Sequence, residues 1–311
     1  MSPADPKVAD LPSIMRTRGW ADYELLDCGH GRKLERYGPY TVVRPEPQCL
    51  WTPALPADAW DQADAVFDPT DEEDAGRWKL RGKAAALASG DTWPLAWNAV
   101  RFKGRFTSFR HLAFFPEQAA NWDWLDAAVR ACAPSADGGQ PRVLNLFGYT
   151  GVASLVMAAA GAAVTHVDAS KRAVTWAREN AALSGLADRP IRWIAEDARK
   201  YVQREVRRGA RYEGIILDPP KYGRGPDGEI WRLFENLPEL AGLCAELLSE
   251  NARFLVLNAY AERISGAALS GLLADKLKGR GGTIEWGELA LVQADGVREI
   301  GMSFFARWQA G

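Results

Sequence analysis

Acidic residues end several short apolar runs in the second half of the chain, and their spacing is suited to binding a nucleoside. Asp168 ends the run at 162–168, Glu196-Asp197 ends the run near 191–196, and Asp218 ends the run at 214–218. A carboxylate accepts hydrogen bonds from the hydroxyls of a ribose or from the amino group of an adenine. Asp168 follows Gly148 by 20 residues, about the spacing of the ribose-binding acid in nucleotide-binding sheets.

A glycine turn precedes these acids. In VLNLFGYTG (143–151), an apolar run leads into Gly148 and Gly151, after which small residues begin a helical pattern. Glycine lets the backbone approach a ligand closely, and in open parallel sheets this turn is where nucleotide-like ligands dock. Structural roles stay open, because the glycines suit a plain strand-to-helix turn, and Asp168 or Asp197 could cap the helix that follows it.

The segment Asp218-Pro219-Pro220-Lys221-Tyr222 is the least easily explained by packing alone. Two successive prolines fix the backbone and remove two donors, so the segment presents rigid carbonyls beside a carboxylate. Asp218 and the Pro219 carbonyl would then offer acceptors at the edge of the sheet where ligands bind. Tyr222 could stack on an unstacked base, or it could pack in the core.

The elements that carry these residues alternate strictly between strand and helix. Continuously apolar runs of this length are typical of parallel strands that are buried on both faces. The predicted strands are 142–147, 162–168, 191–196, 214–218 and 254–258, with predicted helices at 152–161, 171–185, 198–209 and 231–250. This alternation predicts an α/β fold with a doubly wound, Rossmann-like sheet. Two tail strands, 283–293 and 300–308, could form an antiparallel edge.

The first hundred residues differ in character. Runs such as 33–45 and 96–109 alternate apolar and polar residues, which is typical of short antiparallel strands. With 311 residues in total, we predict two domains, a smaller β-rich accessory domain at 1–113 and an α/β domain at 114–311.

Bulk properties exclude several classes of protein. No run of about 18 apolar residues occurs, and the N-terminus carries acids and prolines where a signal peptide would be basic and apolar, so we expect a cytoplasmic protein without a membrane partner. The four cysteines form no paired spacing and are expected to be reduced. The net charge of −2 neither requires nucleic acid nor excludes it.

Three segments resemble class I S-adenosylmethionine methyltransferases, and specifically the large-subunit ribosomal RNA methyltransferases. They are VLNLFGYTG (143–151), VDASKRAVTWARENAALSGL (167–186) and LDPPKYGRG (217–225), within a resemblance that covers about 114–308. It implies S-adenosylmethionine as cofactor and ribosomal RNA as partner, with the glycine turn facing the methionine part. We expect no metal, because methyl displacement needs none.

The resemblance also implies a set of site residues. The expected cofactor-binding residues are Gln118, Asn145, Phe147, Gly148, Tyr149, Thr150, Gly151, Asp168, Ala169, Ser170, Asp197 and Ala198. The expected catalytic residues are Asp218, Pro219, Pro220, Lys221 and Tyr222. Gln118 is carried over from an aspartate-glutamine-arginine stretch of the relatives, in which this chain has Ala119 at the arginine position.

The acceptor stays open between several chemistries. Relatives that methylate cytosine carbon-5 place a cysteine after the fifth strand, where this chain has Asn258, Ala259 and Tyr260, so an amino or ring nitrogen is favoured. Five basic residues suggest an RNA-binding helix face or a plain solvated one: Lys200, Arg204, Arg207, Arg208 and Arg211. A protein or metabolite acceptor, a non-catalytic binding module and a nicotinamide-dependent dehydrogenase are the alternatives, although the dinucleotide-binding glycine spacing is missing.

Overall fold

The computed structural model describes residues 4–70, 75–135, 138–260 and 263–311. The chain forms two compact units that are not contiguous in sequence. The large unit comprises 1–15, 120–289 and 302–311, and the small unit comprises 16–119 and 290–301. The division into domains at 1–113 and 114–311 stays a prediction.

The strands are numbered in chain order as β1 Lys7–Val8, β2 Ser13–Thr17, β3 Tyr23–Gly29, β4 Arg32–Tyr37, β5 Tyr40–Pro45, β6 Ala65–Pro69, β7 Gly76–Leu80, β8 Trp93–Trp97, β9 Val100–Gly104, β10 Arg142–Leu146, β11 Ala163–Asp168, β12 Ile191–Ala195, β13 Gly214–Leu217, β14 Tyr222–Arg224, β15 Ile230–Arg232, β16 Phe254–Ala259, β17 Thr283–Val292 and β18 Glu299–Gln309. The α-helices are α1 Ala57–Asp61, α2 Ala119–Arg130, α3 Val152–Ala159, α4 Lys171–Leu183, α5 Ala198–Arg207, α6 Leu233–Leu247 and α7 Gly266–Lys276. Two 3₁₀ helices span Gly82–Leu87 and Pro116–Gln118. None of the helices within the described ranges is long and apolar enough to cross a membrane.

The large unit is built on a sheet in the order β1-β17-β18-β16-β13-β10-β11-β12, with β2 also paired to β17. The five strands from β16 to β12 are parallel, and β18 runs antiparallel to β16. Alternate residues of the central strands enter two different apolar cores. Leu144 packs with the residues of α5, α6 and α7, whereas Val143 packs with those of α2 and α3. Both faces are therefore covered, which confirms the doubly wound α/β sheet.

The predicted strands and crossover helices are confirmed, with two corrections. The helix predicted at 231–250 begins at Leu233, because β14 and β15 form an antiparallel hairpin that includes Trp231. The tail strands extend the sheet, but they are not its edge, because β1 pairs with β17. The main-chain groups of β17 are bonded by N-terminal residues that the sequence pattern did not assign to this sheet.

The small unit contains the β-rich sheet expected near the N-terminus. Its order is β3-β4-β5-β6-β7, and β8 and β9 form a separate hairpin. A buried charge pair crosses this sheet: Arg44 Nε and Nη2 donate to the Glu35 carboxylate at 2.7 and 2.8 Å. Tyr23 also donates to Glu35, at 2.8 Å. Burial by itself would raise the pKa of Glu35, but the charges of Arg44 and Lys33 outweigh it and lower the pKa to about 2.

We predict that Glu35→Gln destabilises the protein by about 3–5 kcal/mol, because it leaves the buried Arg44 without its counter-charge. The pKa of Glu35 in the folded state lies below the ordinary glutamate value of 4.5. The ion pair therefore stabilises the fold above about pH 4.5, and this contribution is lost as the pH falls towards 2. Urea unfolding of the full chain at pH 7 and at pH 3 measures both effects. Glu24→Gln, on the neighbouring strand β3 with a half-exposed side chain, is the control. Equal unfolding free energies for the two variants would contradict this assignment.

Candidate active site

The turn between β10 and α3 has an unusual backbone. Phe147, Tyr149 and Gly151 have positive φ angles of 58°, 48° and 87°. The left-handed conformation costs roughly 1–2 kcal/mol for a residue other than glycine, so two such residues in one turn need support from their surroundings. The Gly148 N–H donates to the Val167 carbonyl at 3.0 Å, which bonds the turn to the neighbouring strand β11.

Both glycines of this turn are required by neighbours inside the large unit. A Cβ atom at position 148 would collide with the ring of His166. A Cβ atom at position 151 would lie 2.7 Å from the Cβ of Ala177 on α4. The sequence had suggested that these glycines allow a close approach to a ligand, whereas the contacts that exclude a side chain come from the protein beneath the turn.

A buried polar cluster supports the turn from below. Asn145 Nδ2 donates to Ser154 Oγ at 2.8 Å, and Ser154 Oγ lies 3.0 Å from His166 Nδ1. Burial lowers the pKa of His166 to about 3, so the ring of this fully buried residue is neutral at physiological pH. Asn145 has only 2% of its surface exposed, and its amide is bonded within this cluster.

Asp168 couples the end of β11 to the turn. Its Oδ2 accepts from the Tyr149 N–H at 2.8 Å, and its Oδ1 accepts from the Ser170 N–H at 2.8 Å. Burial raises the pKa of Asp168, although both amide hydrogen bonds oppose the shift. Ser170, not Asp168, caps α4, because Ser170 Oγ accepts from the Ala173 N–H at 3.2 Å. The capping alternative for Asp168 is therefore wrong, and Ala169 lies between the two residues.

The acids after β12 have structural partners. Asp197 is the N-cap of α5, and its Oδ1 accepts from the Lys200 N–H at 3.0 Å. Glu196 receives two hydrogen bonds from the Arg204 guanidinium, at 2.5 and 2.7 Å. Asp197 therefore caps α5, which is one of the roles that the sequence left open for it. Ala198 is the first residue of the helix.

An indole anchors the double-proline segment after β13. Trp231 Nε1 donates to the Pro220 carbonyl at 2.7 Å, and its ring lies 4.9 Å from that of Phe147. Trp231 is 3% exposed, so one buried side chain fixes both the double-proline segment and the glycine turn. The sequence pattern had placed Trp231 in a predicted helix. Nothing in that pattern indicated its contact with the Pro220 carbonyl.

The hairpin of β14 and β15 carries Tyr222 at its start. Tyr222 pairs with Arg232, and Arg224 pairs with Ile230, so these four side chains share one face of the hairpin. Tyr222 and Ile230 are each 49% exposed, whereas Trp231 points to the opposite, buried face. The core alternative for Tyr222 is therefore wrong.

The expected site residues of the large unit meet at the carboxyl ends of four parallel strands. The strand register places the ends of β10, β11 and β13 side by side, and Asp168 is aligned with Ala195 at the end of β12. Thr150 belongs to the same turn, and its carbonyl accepts from Asn180 Nδ2 at 2.9 Å. Lys221 is exposed, and its carbonyl accepts from the N–H of the first α6 residue at 3.0 Å. Gln118 lies in the small unit, buried in a 3₁₀ helix.

The basic helix face suggested by the sequence is largely neutralised. Helix α5 ends at Arg207, so Arg211 is not part of it. Lys200 forms an ion pair with Glu229, Arg204 pairs with Glu196, and Arg208 pairs with Glu205. This face carries balanced charges, and the interpretation as a solvated surface fits it better than a nucleic-acid site.

The edge of the sheet at which β10, β11, β12 and β13 end, here called the carboxyl edge, has acceptors that fit an adenosyl group. The Asp168 carboxylate lies at the end of β11, where two backbone amides orient it. Carboxylate oxygens can accept the hydrogen bonds that ribose hydroxyls donate. Among the residues that the structure describes, no group of three or more histidines, cysteines, aspartates or glutamates could hold a metal ion.

Comparisons with known proteins agree with this geometry. No family model matches the chain. It is 36% identical over 118 residues to ribosomal RNA large subunit methyltransferase K/L of Shewanella frigidimarina, which covers 37% of this chain and 16% of that protein. It is also 36% identical over 103 residues to ribosomal RNA large subunit methyltransferase I of Shewanella denitrificans, covering 33% and 23%. The matches thus span less than a quarter of these curated relatives.

A solved structure is similar over the whole chain. The crystal structure of the S-adenosylmethionine-dependent methyltransferase from Agrobacterium tumefaciens is 48% identical, with a TM-score of 0.91, and the match covers 100% of this chain and 97% of that one. The resemblance inferred from the glycine turn and the double-proline segment is therefore confirmed. The chain belongs to the S-adenosylmethionine-dependent methyltransferases.

Proposed function

We propose that the protein transfers a methyl group from S-adenosylmethionine to a nitrogen of a base in RNA, with large-subunit ribosomal RNA as the substrate. The names of the two Shewanella relatives support ribosomal RNA as the substrate class. The observation that carries the proposal is the double-proline segment beside the exposed face of the β14–β15 hairpin.

The hairpin face has the composition of a surface that binds unpaired nucleotides. Tyr222 and Ile230 expose apolar surface, and Arg224 adds a guanidinium group on the same face, where Arg232 is paired with Glu235. Stacking of a base on an aromatic side chain is worth about 1–3 kcal/mol, and arginines contact phosphates. Because Tyr222 lies four residues after Asp218, a base stacked there would be adjacent to the acceptors of the double-proline segment.

The residues of the carboxyl edge receive separate roles in this proposal. Asp168 binds the ribose hydroxyls, and Asp197 accepts from the adenine amino group with the oxygen that does not cap α5. The turn from Phe147 to Gly151 contacts the methionine part. Asn145 acts indirectly, because its amide supports the turn through Ser154. Gln118 keeps its proposed cofactor role on the resemblance alone.

The chemistry requires position more than reactive side chains. When bound, S-adenosylmethionine supplies a methyl group on a sulfonium sulfur, which an in-line nucleophile can accept. Holding the acceptor nitrogen in line at contact distance can supply roughly 7–11 kcal/mol of the barrier. The Asp218 carboxylate and the Pro219 carbonyl accept the hydrogens of the amino nitrogen and orient its lone pair. The Pro220 carbonyl is bonded to Trp231, so it holds the segment in place.

Nitrogen is favoured over cytosine carbon-5 because a carbon nucleophile of that kind needs a cysteine for covalent activation. The large unit has two cysteines. Cys244 is fully buried in α6, and burial raises its thiol pKa. Cys132 follows α2, bonds the Ala128 carbonyl, and has a pKa raised by burial to about 11. Neither thiol lies at the carboxyl edge, where β16 ends in Asn258 and Ala259.

Methyl transfer into RNA tests the proposal directly. Purified protein is incubated with S-adenosylmethionine tritiated on the methyl group and with total RNA or total protein from a strain that lacks the gene. We expect label in RNA from that strain, little in RNA from the parent strain, and an N-methylated nucleoside after digestion. Label in protein only, or in 5-methylcytidine, contradicts the proposal.

We predict that Asp168→Ala weakens S-adenosylmethionine binding at least about tenfold, because hydrogen bonds to a charged group contribute about 1.5–3 kcal/mol. The substitution also frees the Tyr149 and Ser170 amides and so loosens the turn. Isothermal titration calorimetry measures the affinity, and Asp188→Ala, an exposed aspartate of the same unit, is the control. Unchanged affinity in Asp168→Ala would remove this residue from the cofactor site.

Asp218→Ala is expected to lower kcat at least about 10²-fold, because a preorganised hydrogen-bonding group at the reacting centre contributes about that much. Cofactor affinity should change little, since the proposed contact is to the acceptor base. Single-turnover methylation of RNA and calorimetry with S-adenosylmethionine separate the two quantities. A variant that methylates at the parent rate would show that Asp218 is not at the reacting centre.

Trp231→Phe keeps an aromatic ring beside Phe147 but removes the hydrogen bond to the Pro220 carbonyl. As Trp231 is a positioning residue, we expect kcat to fall about tenfold, the loss of one well-placed hydrogen bond, with cofactor affinity retained. Trp308→Phe is a matched control, because Trp308 bonds the Gly281 carbonyl at 2.8 Å near the start of β16, away from the carboxyl edge. Equal effects of both variants on kcat would indicate general destabilisation.

A further inference from the structure

A cavity of about 410 Å³ lies in the small unit, away from any residue assigned a role above. Its lining includes His30, Arg32, Trp60, Asp61 and Arg81, with apolar side chains between them. Cavities of about 300–1,000 Å³ are typical of small-ligand sites. The lining has two guanidinium groups and one carboxylate, so the cavity favours an anion.

The two arginines are available to a ligand. Neither Arg32 nor Arg81 forms an ion pair with a described residue, in contrast to the basic residues of α5. Arg32 is held in place, since its Cζ lies 5.2 Å from the centre of the Trp60 ring in a cation–π contact. Arg81 is fixed through its backbone, whose N–H donates to the Asp64 carbonyl at 2.8 Å.

A fully buried carboxylate organises the wall of the cavity. Asp27 accepts from the Ala54 and Leu55 N–H groups at 3.1 and 2.8 Å. It also accepts from Trp60 Nε1 at 3.1 Å. The loop that carries the lining and the indole under Arg32 are therefore positioned before any ligand arrives, which lowers the entropy cost of binding.

The turn between β3 and β4 brings His30 to the cavity beside Arg32. His30 and Gly31 both have positive φ angles, 49° and 72°, as in the two-residue hairpin turns that match strand twist. This turn fixes His30 and the following Arg32 on the cavity lining. Imidazole and guanidinium both donate hydrogen bonds, as a phosphate oxygen requires.

We propose that this cavity binds a phosphodiester of a single-stranded segment of the RNA substrate. The proposal rests on the proposed function, because it adds a second contact with the same RNA. Arg32 and Arg81 donate to the phosphate oxygens in the two-pronged geometry that guanidinium groups favour. Asp61 accepts from the 2′-hydroxyl of the adjoining ribose, which a DNA strand lacks.

The test uses Arg32→Gln/Arg81→Gln in the full chain and a fluorescein-labelled single-stranded oligoribonucleotide. Fluorescence anisotropy is measured over a series of salt concentrations. We expect affinity to fall at least about tenfold and the salt slope to decrease by about 0.7, the contribution of one phosphate contact to a single strand. Arg18→Gln, an exposed arginine of the same unit outside the cavity, should behave as the parent protein.

One control and two outcomes separate this proposal from its alternatives. Calorimetry with S-adenosylmethionine should give parent affinity for the double variant, so a loss of RNA affinity there does not depend on the cofactor site. If the parent protein methylates no RNA but binds the oligoribonucleotide through these arginines, the proposed function fails and the cavity proposal stands. Parent affinity for RNA in the double variant, or inorganic phosphate binding without oligoribonucleotide binding, overturns the cavity proposal.

Discussion

The carboxyl edge of the sheet depends on hydrogen bonds between the β10–α3 turn and the end of β11. The Gly148 N–H bonds the Val167 carbonyl, and the Tyr149 N–H bonds the Asp168 carboxylate. These bonds hold two non-glycine residues in the left-handed conformation and orient the carboxylate proposed to bind ribose. The side of the turn that faces the protein is equally constrained, because His166 leaves no room for a side chain at position 148. Asp168 and the turn that it supports are thus one structural element.

The double-proline segment is coupled to the same turn by a single aromatic residue. Trp231 bonds the Pro220 carbonyl and packs on Phe147, so the groups proposed to face the cofactor and those proposed to face the acceptor share a support. Methyl displacement depends on the relative position of these two groups, and a rigid connection between them suits that chemistry. The charges of α5 add to this rigidity, because Lys200 pairs with Glu229 and so ties the hairpin after the double prolines to the helix.

Much of this arrangement could be predicted from the sequence, because the central strands are continuously apolar and end in acids. The parallel sheet and the strand ends of Asp168, Asp197 and Asp218 follow from that pattern. The contact of Trp231 with Pro220 could not be predicted, since it depends on a hairpin of three-residue strands that have no periodic signal. The ion pairs of Lys200 and Arg204 were also hidden, because Glu229 lies far from the helix in sequence and Glu196 precedes it.

The most direct test of the account is a crystal structure of this protein with S-adenosylhomocysteine. The account predicts that the ribose hydroxyls bond the Asp168 carboxylate, that the adenine amino group bonds Asp197, and that the sulfur atom faces the Asp218-Pro219 segment. A ligand bound elsewhere, or one whose ribose contacts neither Asp168 nor the Phe147–Gly151 turn, would contradict it.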